Sequence, residues 1–85
     1  MNNYSKIIKP SINQLINDNT NLVKKISWHL HGRVNSIVDI EDIIQIGMLG
    51  LISAAQNYVP QKNASFASYA SIRIKGEILD YLRKS

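Results

Sequence analysis

The apolar residues recur every three or four positions along almost the whole chain, and this spacing constrains the fold more than any other feature. Apolar side chains spaced in this way lie on one face of an α-helix. No segment alternates convincingly between apolar and polar residues with the period of two that a half-buried strand shows. The sequence therefore predicts an all-α fold, a compact bundle of three to four helices. Its 85 residues are about enough for one domain.

Capping and helix-breaking residues divide this pattern into segments. Thr20, Asp39 and Ser65 are the predicted N-caps, because their short polar side chains can accept hydrogen bonds from free N–H groups of the first turn. Gly32 ends the second helix, and Pro10 argues against an uninterrupted first helix. The predicted helices cover about residues 4–17, 20–32, 39–57 and 66–83. The second helix is expected to direct an apolar face inward that consists of Leu22, Val23, Ile26, Trp28 and Leu30.

Composition narrows the class of protein. The chain has no cysteine, which excludes disulfides, and its net charge of +4 favours polyanionic partners moderately. The start of the chain has no apolar run long enough for a signal peptide or a membrane span, so we expect a cytoplasmic protein without membrane contact. His29 and His31 diverge on a helix and cannot share a metal ion. We find no catalytic arrangement and expect no enzyme activity, metal or cofactor.

The third helix has a second apolar surface opposite its predicted core face. The core face carries Ile40, Ile43, Ile44, Gly47, Leu51, Ala54, Ala55 and Tyr58. The opposite face carries Asp42, Gln45, Ile46, Leu49 and Ser53. Two large aliphatic side chains with polar neighbours on an outward face indicate a surface for a partner. The alternative is a helix that is buried on two sides, for example by the residues before Thr20.

The fourth helix carries rings and a cation on the face directed away from its predicted core. The core face carries Ala67, Ser71, Ile74, Ile78 and Leu82, widened by Ile72 and Leu79. The other face carries Phe66, Tyr69, Arg73, Gly76, Glu77 and Asp80, and Lys62 and Lys75 lie nearby in sequence. Exposed rings stack on bases and cations bind phosphates, so this pattern is typical of a surface for single-stranded nucleic acid. The alternative is that Phe66 and Tyr69 pack back on the preceding loop as core residues.

Three segments of the chain resemble, in order and spacing, the sigma-70 family of bacterial RNA polymerase sigma factors. Leu22–Ile26 is similar to region 2.1, Asp42–Leu51 followed by Ala54, Ala55 and Tyr58 to region 2.2, and Ser65–Asp80 to region 2.3. The resemblance covers about residues 20–84. Within the family, the Arg73–Gly76 run and Asp80 are most similar to the flagellar or motility subgroup, the sigma-28 type. The resemblance implies a region 2 domain over residues 20–85, truncated after region 2.3, with residues 1–19 as a helical or partly flexible lead-in.

The resemblance implies two partners and a set of site residues. Region 2.2 docks on the clamp helices of the β′ subunit of core RNA polymerase, which assigns docking to Asp42, Gln45, Ile46 and Leu49. Region 2.3 captures the non-template strand of the minus-ten promoter element during melting. By this match Tyr69 stacks a base, Phe66 is at least partly structural, and Arg73 replaces a wedge tryptophan and contacts a phosphate or a base. Lys62 and Lys75 complete the residues expected to bind DNA.

Two other functions remain compatible with the residues. In the first, the chain is a truncated interaction module that binds core polymerase or an anti-sigma factor without opening promoters. In the second, it is a generic basic helical DNA binder, which leaves Ile46 and Leu49 without a role. The most concrete expectation is a sigma factor domain that docks on core polymerase and takes part in minus-ten recognition and melting.

Overall fold

Four helices make up the regular structure of the residues that the computed structural model describes, which are 10–34, 37–60, 62 and 65–84. They are α1 (Ile12–Asp18), α2 (Thr20–His31), α3 (Ile40–Asn57) and α4 (Phe66–Lys84). The all-α prediction is confirmed, and the bounds of α2, α3 and α4 agree with the predicted ones to within about a residue. Residues 4–9 of the predicted first helix lie outside the described residues. None of the described helices is long and apolar enough to span a membrane.

The helix starts follow from side-chain caps, with one correction. Asp39 accepts a hydrogen bond of 3.1 Å from Glu41 N, and Ser65 Oγ accepts one of 3.2 Å from Ser68 N. Ser11 caps α1 in the same manner, accepting from Gln14 N at 3.1 Å. The prediction that Thr20 caps α2 is wrong, because Asn19 occupies the N-cap position. The Asn19 side chain makes no capping hydrogen bond, and its Nδ2 donates one of 2.8 Å to Leu15 O instead. The chain passes almost directly from α1 into α2, so Thr20 already lies in the helix.

The core lies between α2, α3 and α4, and α3 contacts all three other helices. The most extensive contact joins α3 and α4. Burying one large aliphatic side chain in this core stabilises the fold by about 1.5–3 kcal/mol. The largest fully buried apolar side chains are Val23, Ile43, Leu51, Ile74 and Ile78. The helix α1, which falls in the segment predicted as a lead-in, contacts α3 as well, and its Leu15 and Ile16 pack against the core.

Two glycines of α3 let the neighbouring helices approach closely. A Cβ at Gly47 would lie 2.9 Å from Val23 Cγ1 of α2 and 3.2 Å from Ile78 Cδ1 of α4. A Cβ at Gly50 would lie 2.8 Å from the Cα of Ile74 and 2.9 Å from the carbonyl oxygen of Arg73. Because the obstacle at Gly50 is backbone, a side chain there cannot be accommodated by a rotamer change. The backbone of α4 is therefore seated directly on α3 beside Arg73.

Replacing Gly50 with Ala is expected to destabilise the chain, in contrast to the same change at Gly76. Overpacking costs about 1–3 kcal/mol, and the higher helix propensity of Ala returns roughly 1 kcal/mol, which leaves a net loss of up to about 2 kcal/mol. Gly76 is the matched control in α4, since a Cβ there meets nothing within 4 Å. Gly76→Ala should raise the unfolding free energy measured by urea denaturation. Equal effects of the two substitutions would contradict the close α3–α4 contact.

The structure corrects the predicted orientation of α4 and one side chain of α2. The buried residues of α4 are Phe66, Ala70, Ile74 and Ile78. Ala67 and Leu79, predicted to face the core, are exposed, and Ile72 is 72% exposed. The helix is rotated from the predicted orientation because the large ring of Phe66 is buried in place of the methyl group of Ala67. Trp28, predicted on the inner face of α2, is also exposed, and its ring meets the His31 ring edge to face.

Candidate functional site

One outward stripe of α3 carries the residues predicted to dock on a partner. Asp42 and Gln45 are exposed, and Leu49 is 57% exposed although it is a large aliphatic side chain. Ser53 continues the stripe one turn further along the helix. Their spacing of three and four residues puts these side chains on one face. Among the described residues nothing covers most of Leu49, so this stripe presents an apolar centre with a polar edge.

Ile46 departs from its predicted place on this stripe. It is partly buried and packs against the core, so the prediction that it lies opposite the core is wrong. The alternative of a helix buried on two sides is thus met in part, since α1 also contacts α3. Leu49 stays exposed in spite of these contacts. Any partner on the stripe would meet Leu49 first and Ile46 only at its edge.

Three aromatic rings form a cluster where the end of α3 meets the start of α4. The Tyr58 ring contacts the Phe66 ring edge to face, with centroids 5.2 Å apart. The Tyr58 and Tyr69 rings are tilted by 41°, with centroids 5.7 Å apart. Phe66 is 9% exposed and belongs to the core, so the alternative that it packs as a core residue is confirmed and its place on the outward face is wrong. Tyr69 is partly buried and packs against the core, so its predicted outward orientation is met only in part.

Arg73 connects the aromatic end of α4 to the outward stripe of α3. Its Nη2 donates a hydrogen bond of 2.6 Å to Ser53 Oγ, and the residue remains exposed. It follows Tyr69 by four residues, so the two side chains are neighbours on the helix. The Ser53 hydrogen bond therefore joins Arg73, but not Tyr69, directly to the α3 stripe.

The remaining predicted cations are Lys62, in the loop before α4, and Lys75, on α4. Lys62 and Lys75 are exposed. At the end of α4, Lys84 Nζ lies 3.2 Å from Asp80 Oδ2, and the exposure of both side chains makes this a weak ion pair. The sequence reasoning did not select Ser53 and Tyr58 for the site. A glycine at position 50 of a strongly apolar helix is the signal that could have located the α3–α4 contact beside them.

Comparison with known proteins identifies relatives of the chain. RNA polymerase sigma factor FliA of Pseudomonas aeruginosa is 49% identical to it over 82 residues, which are 95% of this chain and 33% of the relative. RNA polymerase sigma-D factor of Bacillus subtilis is 38% identical over 63 residues, 69% of this chain and 24% of the relative. RNA polymerase sigma factor FliA of Escherichia coli K12 is 36% identical over 62 residues, 73% of this chain and 26% of the relative.

The relatives and the family match agree with the resemblance found in the sequence. The chain spans a third or less of the length of these curated relatives. The similarity to the two FliA factors confirms the predicted likeness to the flagellar subgroup. The family described as Sigma-70 region 2 matches residues 15–85, which is most of the chain. With its all-α bundle and this match, the chain belongs to the Sigma-70 region 2 family.

Proposed function

We propose that the chain docks on core RNA polymerase through the outward stripe of α3. The observation that carries this proposal is the exposed Leu49 in the middle of a stripe with polar residues. A large aliphatic side chain open to water gains free energy when a partner covers it. Asp42 and Gln45 supply the hydrogen-bonding edge that such interfaces have around their apolar centre. Family membership and the sigma factor relatives support RNA polymerase as the partner, and the resemblance of this helix to region 2.2 implies the β′ subunit.

The same chain is proposed to capture the non-template strand of the minus-ten element through α4. Tyr69 supplies a ring on which an unpaired base stacks, and Arg73 supplies a cation for a neighbouring phosphate. Lys62 and Lys75 add weaker phosphate attraction. Phe66 contributes by supporting Tyr58 and through it Tyr69, since its own ring is in the core. The function is that of a non-enzymatic initiation factor domain, with promoter DNA and core polymerase as partners.

Binding of single-stranded DNA by the chain alone is expected to be weak and to fall steeply with salt. Few cations face the strand, and phosphate contacts dominate such binding, so the affinity should follow the salt concentration. Fluorescence anisotropy of a labelled single strand, measured at several salt concentrations, gives the slope. Adding core polymerase should tighten the binding.

Tight, salt-insensitive binding of duplex DNA would contradict the proposal and favour a generic DNA binder. If the chain binds core polymerase but its affinity for single-stranded DNA does not rise, the result would favour the interaction module that does not open promoters.

A further inference from the structure

Arg73 lies where the surface of α4 meets the stripe of α3, and an α3 side chain holds it there. Its Nη2 donates the 2.6 Å hydrogen bond to Ser53 Oγ. Across the part of the chain that the structure describes, no carboxylate forms an ion pair with this guanidinium. The Ser53 hydroxyl therefore gives the guanidinium its direction. A hydroxyl accepts this bond without neutralising the positive charge, so the cation can still bind an anion.

The backbone on either side of this hydrogen bond is held as well. Ser53 follows Gly50 by one turn, and a Cβ at Gly50 would stand 2.9 Å from the carbonyl oxygen of Arg73, so the two helices are in direct contact here. One turn further, Asn57 Nδ2 donates a hydrogen bond of 2.7 Å to the carbonyl oxygen of Ser53. These contacts hold the backbones of α3 and α4 in place, so the conformation of the long Arg73 side chain is what can still change. The hydrogen bond to the Ser53 hydroxyl restricts that conformation.

The position of this guanidinium suits a phosphate next to a stacked base. Tyr69 is four residues before Arg73, which separates their Cβ atoms by about 6 Å along the helix. The Tyr69 ring packs against the Tyr58 ring, with the two ring centroids 5.7 Å apart. A planar guanidinium binds two phosphate oxygens through parallel N–H groups when its orientation is right.

We infer that Ser53 is a positioning residue that orients Arg73 beside Tyr69, so that Arg73 binds a phosphate of the strand whose base stacks on Tyr69. This inference rests on the proposed strand capture and adds a residue of α3 to it. A bond made before DNA arrives reduces the side-chain entropy that Arg73 loses on binding. Ser53 therefore acts on DNA affinity through Arg73, without contacting DNA itself.

The test uses the chain, a short fluorescein-labelled oligodeoxythymidine and anisotropy titrations over a range of salt. Arg73→Ala should weaken binding about tenfold, as expected for a hydrogen bond to a charged group, and reduce the salt slope by about 0.7. Ser53→Ala should weaken binding several-fold and reduce the salt slope in the same direction. Ser53→Thr, which keeps the hydroxyl, should bind like the unchanged chain. The Ser53→Ala, Arg73→Ala double variant should match Arg73→Ala alone, because the two residues act as one unit.

A purely structural role of Ser53 would shift the melting temperature and leave the salt slope unchanged. We expect the opposite for Ser53→Ala, with the salt slope reduced and the melting temperature unaltered. If Ser53→Ala binds as tightly as the unchanged chain while Arg73→Ala and Tyr69→Ala bind weakly, the inference is overturned and the proposed strand capture stands. Tighter binding by Ser53→Ala would mean that the bond withholds Arg73, which also overturns the inference. If neither Tyr69→Ala nor Arg73→Ala weakens binding, strand capture itself fails.

Discussion

Replacing Leu49 with Asp is expected to weaken binding to core RNA polymerase by about 30-fold or more while the chain stays folded. A desolvated residue at the centre of an interface contributes on the order of 2 kcal/mol or more, and every 1.4 kcal/mol is about tenfold in affinity. A carboxylate at this position would in addition be buried against the partner without a counter-charge. Leu49 is 57% exposed in the free chain, so its replacement removes little core packing. Titration of the labelled chain with core polymerase measures the loss.

Leu79→Asp is the matched control for this substitution. Leu79 is also an exposed leucine on a helix, at 44%, but it lies on α4 away from the proposed docking stripe. Its change to Asp should leave polymerase binding within about twofold, since an exposed substitution away from the interface changes free energies by less than about 0.5 kcal/mol. Gln45→Ala should give a smaller loss than Leu49→Asp. If Leu49→Asp lowers the circular-dichroism signal of the helices, Leu49 is part of the core and the docking proposal fails.

Replacing Tyr69 with Ala is expected to impair promoter opening and leave polymerase docking intact. Loss of the stacking ring costs about 1–3 kcal/mol per stacked base. The effect should be confined to DNA because Tyr69 is on α4, whereas the docking stripe is on α3. The measurement is permanganate reactivity of thymines in the minus-ten element, with residues of this chain replacing the matching segment of the Pseudomonas aeruginosa FliA factor.

Tyr69→Phe separates stacking from the hydroxyl group. It keeps the ring and its contact with Tyr58, so promoter opening should stay close to that of the unchanged hybrid. Because Tyr69 is partly buried, the melting temperature of each variant must be compared as well. Normal thymine reactivity in a folded Tyr69→Ala hybrid would leave Tyr69 as a packing residue and remove the base-capture role.

The starts and ends of the helices could be predicted where a local side chain decides them. Asp39 and Ser65 accept hydrogen bonds from the first turns of their helices, and Gly32 follows α2. Thr20 was misassigned because it has the chemistry of a cap, while the actual cap position falls one residue earlier. Only the three-dimensional path from α1 into α2 distinguishes Asn19 from Thr20.

The orientation of α4 could not be predicted from its apolar pattern alone. Ile74 and Ile78 fit both the predicted face and the observed one, so the choice depended on small residues at the start of the helix. The two orientations bury either Ala67 or Ala70, and since both side chains are methyl groups, the buried apolar area hardly differs. The decisive contact is that of Phe66 with Tyr58 across the loop. Tyr58 lies just after the end of α3, so this contact has no counterpart in the periodicity of either helix.

The candidate site was predictable to the extent that it depends on a single helix. Tyr69 and Arg73 share a face of α4, and the exposed Leu49 follows from the excess of apolar residues on α3. The Ser53–Arg73 hydrogen bond joins residues 20 apart in sequence and requires the close approach at Gly50. A glycine at position 50 indicates that another helix can approach α3 there, but not which helix or which of its residues, so the contact with Arg73 became visible only in the structure.

Competition for core RNA polymerase tests most directly the proposal that this chain docks on core polymerase through α3. The labelled chain is bound to core polymerase of Pseudomonas aeruginosa, and unlabelled FliA factor of the same organism is added. We expect FliA to displace the chain completely, because both would place the same stripe of the third helix on the same polymerase surface. A chain that does not bind core polymerase, or that stays bound at saturating FliA, would contradict the claim.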